Sequence, residues 1–412
     1  KVDWVKVISL SKITSQLRVD FVLGYYSMKN FFWIIAIGFL LSGCLETPKG
    51  NLPKINQDEI DIEAERQKRI SYAKYIDQMS LVKNIGYRIN SLNSDICNKI
   101  DYNSGLTYAN DHAMGIKITK FFPTKLNINS RVSIIDVVVN SPADEAGLLV
   151  GDIILEIDNY VFPEGKNALK KISKHFSKIE KKEIKKIKIE RNSETKTFNV
   201  QQTKICNYPI IFTQDNIVNA YANGKSIIMT QGMVDYARDE NEIAMVIAHE
   251  LAHNDRGHLD AMKKNTLVMG SIGFVLDMMT IYYSGGTAGG DAANTEMMSE
   301  IGREAYSVEF EKDADYGGVY YAYRAGYDIS NVKKFWERIG SENPKRIAIS
   351  STHPATSERY LQIEKTVEEI NDKKQKGLAL VPNDKEIEEG KPTKNKKKKK
   401  KLDLKNIFKK KN

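Results

Sequence analysis

The chain has 412 residues, of which 41% are hydrophobic and 28% are charged, and its formal net charge is +9. Such a composition is typical of a globular protein of more than one domain. The charge is unevenly placed, because residues 391–412 carry 12 lysines and one aspartate whereas residues 44–390 have a net charge of −5. This distribution excludes a protein that is basic throughout.

The first recognisable element is a secretory signal peptide, predicted over residues 28–43. Lys29 precedes an apolar run of 11 residues, 31–41, which is too short to cross a bilayer as a helix. The following Leu-Ser-Gly-Cys sequence ends at Cys44 and is similar to the bacterial lipobox, in which the cysteine is lipidated. The alternative is a buried cysteine in an ordinary signal region. The pattern predicts an exported, membrane-anchored lipoprotein facing the periplasm, and Leu45 favours the outer membrane.

The residues around this signal are assigned by position and composition. Residues 1–27 begin with Lys, carry no signal of their own and are interpreted as an over-extended reading frame. Residues 44–69 are predicted to be a linker. Residues 70–104 are predicted to be the N-terminal part of a larger domain, which resumes at residue 205 after an insertion.

The inserted segment, residues 105–204, is predicted to be a small β domain. Alternating apolar and polar residues over 132–137 and 187–190 predict short strands. The sequences S-P-A-D-E-A-G-L at 141–148 and G-D-I-I-L-E-I-D-N at 151–159 resemble the signature of bacterial PDZ domains. The resemblance implies a β-sandwich or barrel that binds peptides.

A carboxylate-binding loop is the expected ligand site of this domain. The PDZ resemblance places it at Met114, Gly115 and Ile116, where backbone N–H groups would capture a peptide C-terminus while the peptide adds a strand. The alternative is a degenerate PDZ fold that serves as a spacer or lid.

Two cysteines, Cys97 and Cys206, stand on either side of the inserted segment. With Cys44 lipidated they form an even pair in an oxidising compartment. They are therefore either joined by a disulfide, which would staple the two ends of the insertion, or present as two buried thiols.

The strongest signal is an H-E-x-x-H sequence formed by His249, Glu250 and His253. Two histidines four residues apart lie about 40° apart around a helix and can bind one Zn²⁺. Glu250 between them is placed to take a proton from the attacking water. Asp239 as N-cap, with Glu242 three residues later, predicts the start of this helix.

A third metal ligand is expected at Glu311, with Glu309 as the second choice. His258 is unsuitable, because it stands one place away from the metzincin spacing and would point about 140° away from His253 if the helix continued. It is interpreted as a surface residue or as one that contacts a ligand. Asp315, one turn after Glu311, is predicted to fix the tautomer of a ligating histidine.

Taken together, these motifs resemble the HtpX/CAAX-prenyl-endopeptidase family of gluzincins, peptidase family M48, and its periplasmic members. The family pairs H-E-x-x-H with a later E-x-x-x-D, here Glu311 to Asp315, and ends with Thr-His-Pro, here around His353, followed by Arg359. The resemblance implies one Zn²⁺ held by His249, His253 and Glu311, with Glu250 as general base. His353 would stabilise the oxyanion or cap the zinc in a resting state. Asp313 departs from the usual glutamate.

The expected fold class is α+β. A mainly helical zincin domain with a small active-site sheet occupies residues 205–372, and the PDZ domain is inserted before it. The strand at 227–230 is expected to pair with an extended substrate. The expected function is zinc-dependent hydrolysis of peptide bonds in misfolded or unassembled envelope proteins, which are recognised as unfolded or extended segments. The alternative is a latent peptidase that acts mainly as a PDZ-bearing chaperone or assembly factor for outer-membrane proteins.

Two further segments are left with open roles. The apolar stretch 266–283 is interpreted either as a lid over the cleft or as a core helix. Residues 373–412 are predicted to be a disordered, lysine-rich tail. This tail could bind anionic lipid headgroups or act only as a solvated extension, and nucleic acid is not expected as a partner because an exported protein rarely meets it.

Overall fold

The computed structural model describes residues 53–178, 183–262, 308–342, 353 and 355–385. The predicted signal peptide with Cys44, the apolar stretch 266–283 and the tail from residue 391 lie outside these ranges. Of the described helices, none is both long and apolar enough to span a bilayer.

The first element, α1, is a long helix that runs from Gln57 to Leu92. Its start lies inside the segment that the sequence predicted to be a linker, 44–69. Residues 53–70 are all exposed, so no apolar periodicity marks this part of the helix. Local pairs support it instead, such as Glu63 with Arg66, whose side chains meet at 2.7 Å three residues apart.

Strand β1 (Ile100–Asn103) follows and pairs antiparallel with a strand far along the chain, β8 (Thr203–Cys206). The two strands enter and leave the inserted domain side by side. Cys97 and Cys206 form a disulfide next to this stem. Of the two alternatives for the cysteine pair, the structure therefore has the bonded one.

Between the stem strands lies the inserted β domain, whose six strands order as β2-β3-β4-β6-β7 with β5 beside β4. Its core is formed by aliphatic side chains that alternate with polar ones, as at Ile187 and Ile189. Asn192 and Ser193, both with positive φ, form the two-residue turn between β6 and β7. The elements are β2 (Leu106–Ala109), α2 (Asp111–Met114), β3 (Ser133–Val137), α3 (Pro142–Glu145), β4 (Ile153–Ile157), β5 (Tyr160–Val161), α4 (Ala168–Phe176), β6 (Ile184–Arg191) and β7 (Glu194–Gln201).

A second sheet has three strands, β9 (Ile210–Thr213), β10 (Ala220–Ala222) and β11 (Ile227–Thr230), in the order β10-β11-β9. Strand β11 is the central one, antiparallel to β10 and parallel to β9, and all four of its residues are buried. The expectation that this strand pairs with substrate is therefore wrong, because both of its edges are already hydrogen-bonded within the sheet.

Within the described residues, five helices complete the second domain. They are α5 (Gln231–Tyr236), α6 (Glu240–Asp255), α7 (Val308–Arg324), α8 (Val332–Ser341) and α9 (Ser357–Gln375). One apolar core joins α6, α7, α8 and α9 to the three-stranded sheet and to the second half of α1. This combination of helices, a small sheet and an inserted β domain confirms the predicted α+β class.

The chain continues in a defined conformation beyond α9, although the sequence predicted a disordered tail from residue 373. Lys373 is buried and donates from Nζ to the carbonyl oxygen of Val381 at 2.8 Å. Arg324 donates to the carbonyl oxygen of Leu380. A lysine near the end of a helix is normally exposed to solvent. Lys373 is buried because the chain after α9 turns back over it.

Candidate metal centre

Helix α6 carries the H-E-x-x-H sequence through the middle of the core. Asp239 is its N-cap, as predicted, and accepts a hydrogen bond from the Glu242 N–H at 3.0 Å. All residues from Ile243 to Asp255 are buried. A helix buried over this length can hold His249 and His253 in fixed positions.

Helix α7 crosses α6 at close range and brings acidic residues opposite the histidines. The crossing depends on Gly318, because a Cβ there would lie only 3.0 Å from the backbone of His249. Glu311 and Asp315, one turn apart on α7, both face α6 and are buried. Glu309, the second choice as ligand, is exposed and does not belong to the cluster.

Four side chains converge on one point: His249, His253, Glu311 and His353. His249 Nε2 lies 3.0 Å from His253 Nε2, 3.2 Å from His353 Nδ1 and 3.5 Å from Glu311 Oε2. Glu311 Oε1 lies 3.4 Å from His253 Nε2 and 3.0 Å from His353 Nδ1. Zn²⁺ bonds of about 2.0–2.1 Å separate tetrahedral ligand atoms by roughly 3.4 Å, so the four atoms fit one zinc ion.

The charge balance of the cluster also fits a divalent cation. Among the described residues, the cluster has three buried carboxylates, those of Glu250, Glu311 and Asp315, and one buried guanidinium, that of Arg359, which pairs with Glu311 and Asp315. Burial would raise the pKa of Glu311, but the surrounding histidines hold it well below its ordinary range. Once the histidines are neutral, as metal ligands must be, this excess of buried negative charge requires a positive partner.

His353 contributes the feature that separates this cluster from a three-ligand site. Its Nδ1 points at the shared centre, whereas its Nε2 lies 3.4 Å from Oε1 of Glu250. Thr352 and Pro354 beside it lie outside the described residues. The ring therefore stands between the cluster and the predicted general base, and its Nδ1 would be available as a fourth ligand atom for a bound metal.

Glu250 is fully buried beside the cluster, and its burial raises the pKa of its carboxyl group. The backbone of Ala222 on β10 interacts with the same carboxylate and opposes this rise. The edge strand β10 thus lies next to Glu250.

Asp315 and Arg359 support the cluster from behind. Asp315 Oδ1 lies 3.1 Å from His249 Nδ1, so this carboxylate stands beside one of the histidines whose tautomer it was predicted to fix. Arg359 binds Asp315 through two atoms, at 2.8 and 2.9 Å, and reaches Glu311 Oε2 at 2.9 Å. The sequence placed Arg359 in a motif without a role, because an arginine shows no local sign that it will be buried between two carboxylates.

His258 lies at the other side of His253. Of its two interpretations, the surface residue is wrong because His258 is buried, and the contact with a predicted ligand is present, since its Nδ1 lies 3.0 Å from Nδ1 of His253. The missed signal is Gly257, whose φ of +70° ends the helix and turns the chain back toward the site.

The predicted peptide-binding loop of the inserted domain lies after α2. Met114 is partly buried against the core of the second domain, Gly115 has φ +92°, and Ile116 is exposed. Residues 116–132, all of which are described, contain two 3₁₀ turns and no strand. The strand that a bound peptide would extend is therefore not formed directly after the loop.

A helix-borne H-E-x-x-H with an acidic residue from a neighbouring helix defines the zincin class of folds. Residues 181–367 match peptidase family M48, and residues 110–201 match the PDZ domain family. The chain therefore contains a peptidase family M48 domain together with an inserted PDZ domain.

Named relatives agree with this assignment. The chain is 26% identical over 174 residues to the mitochondrial metalloendopeptidase OMA1 of Schizosaccharomyces pombe, covering 39% of this chain and 47% of that protein. It is 27% identical over 155 residues to the beta-barrel assembly-enhancing protease of Escherichia coli, covering 34% and 31%. The chain thus spans about a third to a half of the length of the curated relatives that it matches.

Among solved structures, the HtrA3 PDZ domain bound to a phage-derived ligand matches with 13% identity and a TM-score of 0.18. This match covers 26% of the present chain and 88% of that domain.

Proposed function

We propose that this protein is a zinc-dependent endopeptidase that hydrolyses peptide bonds in misfolded or unassembled envelope proteins. The observation that carries the proposal is the convergence of His249, His253, Glu311 and His353 on one point beside the buried carboxylate of Glu250. One Zn²⁺ bound there would polarise the scissile carbonyl and make water acidic enough to lose a proton near neutral pH.

The chain's own residues would carry the proton transfers. Glu250 takes the proton of the attacking water and delivers it to the leaving amine. Burial raises the pKa of Glu250, which makes the carboxylate a better base than an exposed glutamate. Asp315 and Arg359 hold His249 and Glu311 in place from behind.

Substrate would bind along β10 (Ala220–Ala222). It is an edge strand of the three-stranded sheet as described, and its Ala222 backbone lies at the general base. Pairing with a strand edge uses backbone hydrogen bonds, which suits extended segments of many sequences and not folded ones. We propose that the PDZ domain adds a second contact, to peptide C-termini of substrates or partners.

A latent state of the same site is a second candidate, and the position of His353 favours it. If Nδ1 of His353 served as a fourth ligand atom beside His249 and Glu311, the ring would exclude water from the bound metal until it moved away. A protein kept in this state would act through its PDZ domain as a chaperone or assembly factor.

The proposed location is the periplasmic face of the outer membrane, with the lipid at Cys44 as anchor. The signal-like segment 28–43 supports export, and the E. coli relative named above is described as a beta-barrel assembly-enhancing protease. The lysine-rich end would add contact with anionic headgroups.

Removing the metal provides the direct test. The purified full-length chain is expected to contain one zinc ion and to cleave an unfolded protein such as reduced casein. A chelator should abolish the cleavage, and equimolar Zn²⁺ should restore it. Metal content is measured by atomic emission and cleavage by gel electrophoresis. Absence of zinc from the folded chain would refute the proposed centre, whereas zinc without cleavage would favour the latent state.

A further inference from the structure

The contact between His258 and His253 has a defined geometry. The residue after the α6 C-cap, Gly257, turns the chain so that the His258 ring lies against His253, with the two Nδ1 atoms 3.0 Å apart. On the other side of the ring, Nε2 lies 2.9 Å from Oδ2 of Asp313 on α7. Phe310 stacks on the ring at 4.9 Å between centroids. His258 is therefore held on three sides.

The positions of the ring protons follow from the metal site. His253 presents Nε2 to the cluster, and a metal ligand needs a lone pair on that atom. The ring proton of neutral His253 is then on Nδ1 and is donated to Nδ1 of His258. His258 in turn carries its own proton on Nε2 and donates it to Asp313. This arrangement of the ring protons satisfies both contacts.

Asp313 is itself fixed by a cation. Arg256, the C-cap of α6, places Nη1 2.5 Å from Oδ1 of Asp313 and 3.1 Å from Oδ2 of Asp384. The Arg256 side chain is only 9% exposed. The carboxylate of Asp313 cannot turn away from His258 without losing this pair.

We propose that His258 is a positioning residue for the zinc ligand His253, which it orients by accepting the Nδ1 proton while Asp313 and Arg256 hold it in place. This inference rests on the proposed zinc site. Metal-ligating histidines commonly donate their second N–H to a carboxylate or carbonyl. Here a neutral histidine, His258, is the acceptor, and it donates its own Nε2 proton to Asp313.

Two substitutions separate hydrogen bonding from packing. His258→Phe keeps the ring and its stacking on Phe310 but removes both nitrogens. His258→Gln can accept from His253 and donate to Asp313 through its amide. Loss of such a partner typically weakens metal binding roughly 10–100-fold, so His258→Phe should lose zinc affinity by this factor and His258→Gln should retain most of it.

The readouts are zinc affinity in competition with a chromogenic chelator and the visible spectrum of the Co²⁺-substituted protein, measured on the full-length chain. His175→Phe is the matched control, because His175 is also a stacked histidine but lies in the PDZ domain, on Tyr160. Its affinity and spectrum should equal those of the wild type.

Equal zinc affinity of His258→Phe and the wild type, or equal weakening by both His258 variants, would overturn the inference while leaving the zinc site intact. Failure of the wild type to bind zinc would overturn the site and this inference together. If His258→Phe does not fold, Asp313→Ala serves instead, since its side chain is 42% exposed and its loss frees Nε2 of His258. A measurable loss of affinity is again expected, and an unchanged affinity would contradict the proposal.

Discussion

Replacement of Glu250 by glutamine is expected to abolish most peptide hydrolysis while zinc remains bound. Glutamine has the same shape but cannot take a proton, and general acid–base catalysis contributes roughly 10²–10⁴-fold to a rate. Glu250 is not one of the four converging ligand atoms, so the metal content should stay at one ion per chain. Cleavage of an unfolded protein and metal content are measured on the same preparation.

Glu240→Gln is the matched control for this experiment. Glu240 lies in the first turn of the same helix but is exposed, so its loss removes one carboxylate without reaching the site. This variant should cleave at the wild-type rate. Wild-type cleavage by Glu250→Gln would show that another group is the base, and loss of zinc from it would show that Glu250 is a ligand.

Replacement of Arg359 by methionine is expected to cause the largest loss of stability. Its guanidinium is 2% exposed and pairs with both Asp315 and Glu311, so its removal leaves two buried carboxylates without their cation. Breaking a buried pair in this way costs about 3–5 kcal/mol of unfolding free energy. For a domain of this size the expected drop in melting temperature is roughly 6–20 °C.

Two comparisons define this prediction. Arg131→Met is the control, because Arg131 pairs with Glu190 in the PDZ domain at a site about one third exposed, where such pairs are worth about 1 kcal/mol or less.

Added Zn²⁺ should recover part of the stability lost in Arg359→Met, because the ion neutralises Glu311. An unchanged melting temperature in metal-free Arg359→Met would contradict the role given to this arginine.

The Arg359 pair also predicts a dependence on pH. Burial would raise the pKa of Asp315, but Arg359 and His249 hold it below its ordinary value. The folded state therefore binds fewer protons than the unfolded state, and the pair's contribution is complete above the unfolded pKa. This contribution is lost as the pH falls through the folded pKa. The difference in unfolding free energy between the wild type and Arg359→Met should therefore become smaller in acid.

Local patterns in the sequence determined several parts of this protein. The N-cap at Asp239 and the four-residue spacings of His249 with His253 and of Glu311 with Asp315 predicted two helices and the faces they present. The apolar alternation of β3 and β6 predicted the strands of the inserted domain. These features depend on residues close together in the chain, where helix and strand periods apply directly.

Only the tertiary structure decided which distant segments meet. It placed β11 in the centre of its sheet, put His353 at the fourth position of the cluster, buried Arg359 between two carboxylates and turned His258 onto His253. It also showed that the chain after α9 covers Lys373. Such contacts depend on how helices and strands pack, and the residues involved carry no local periodicity. The sequence around a histidine, an arginine or a lysine does not reveal whether its side chain faces solvent or a buried charge.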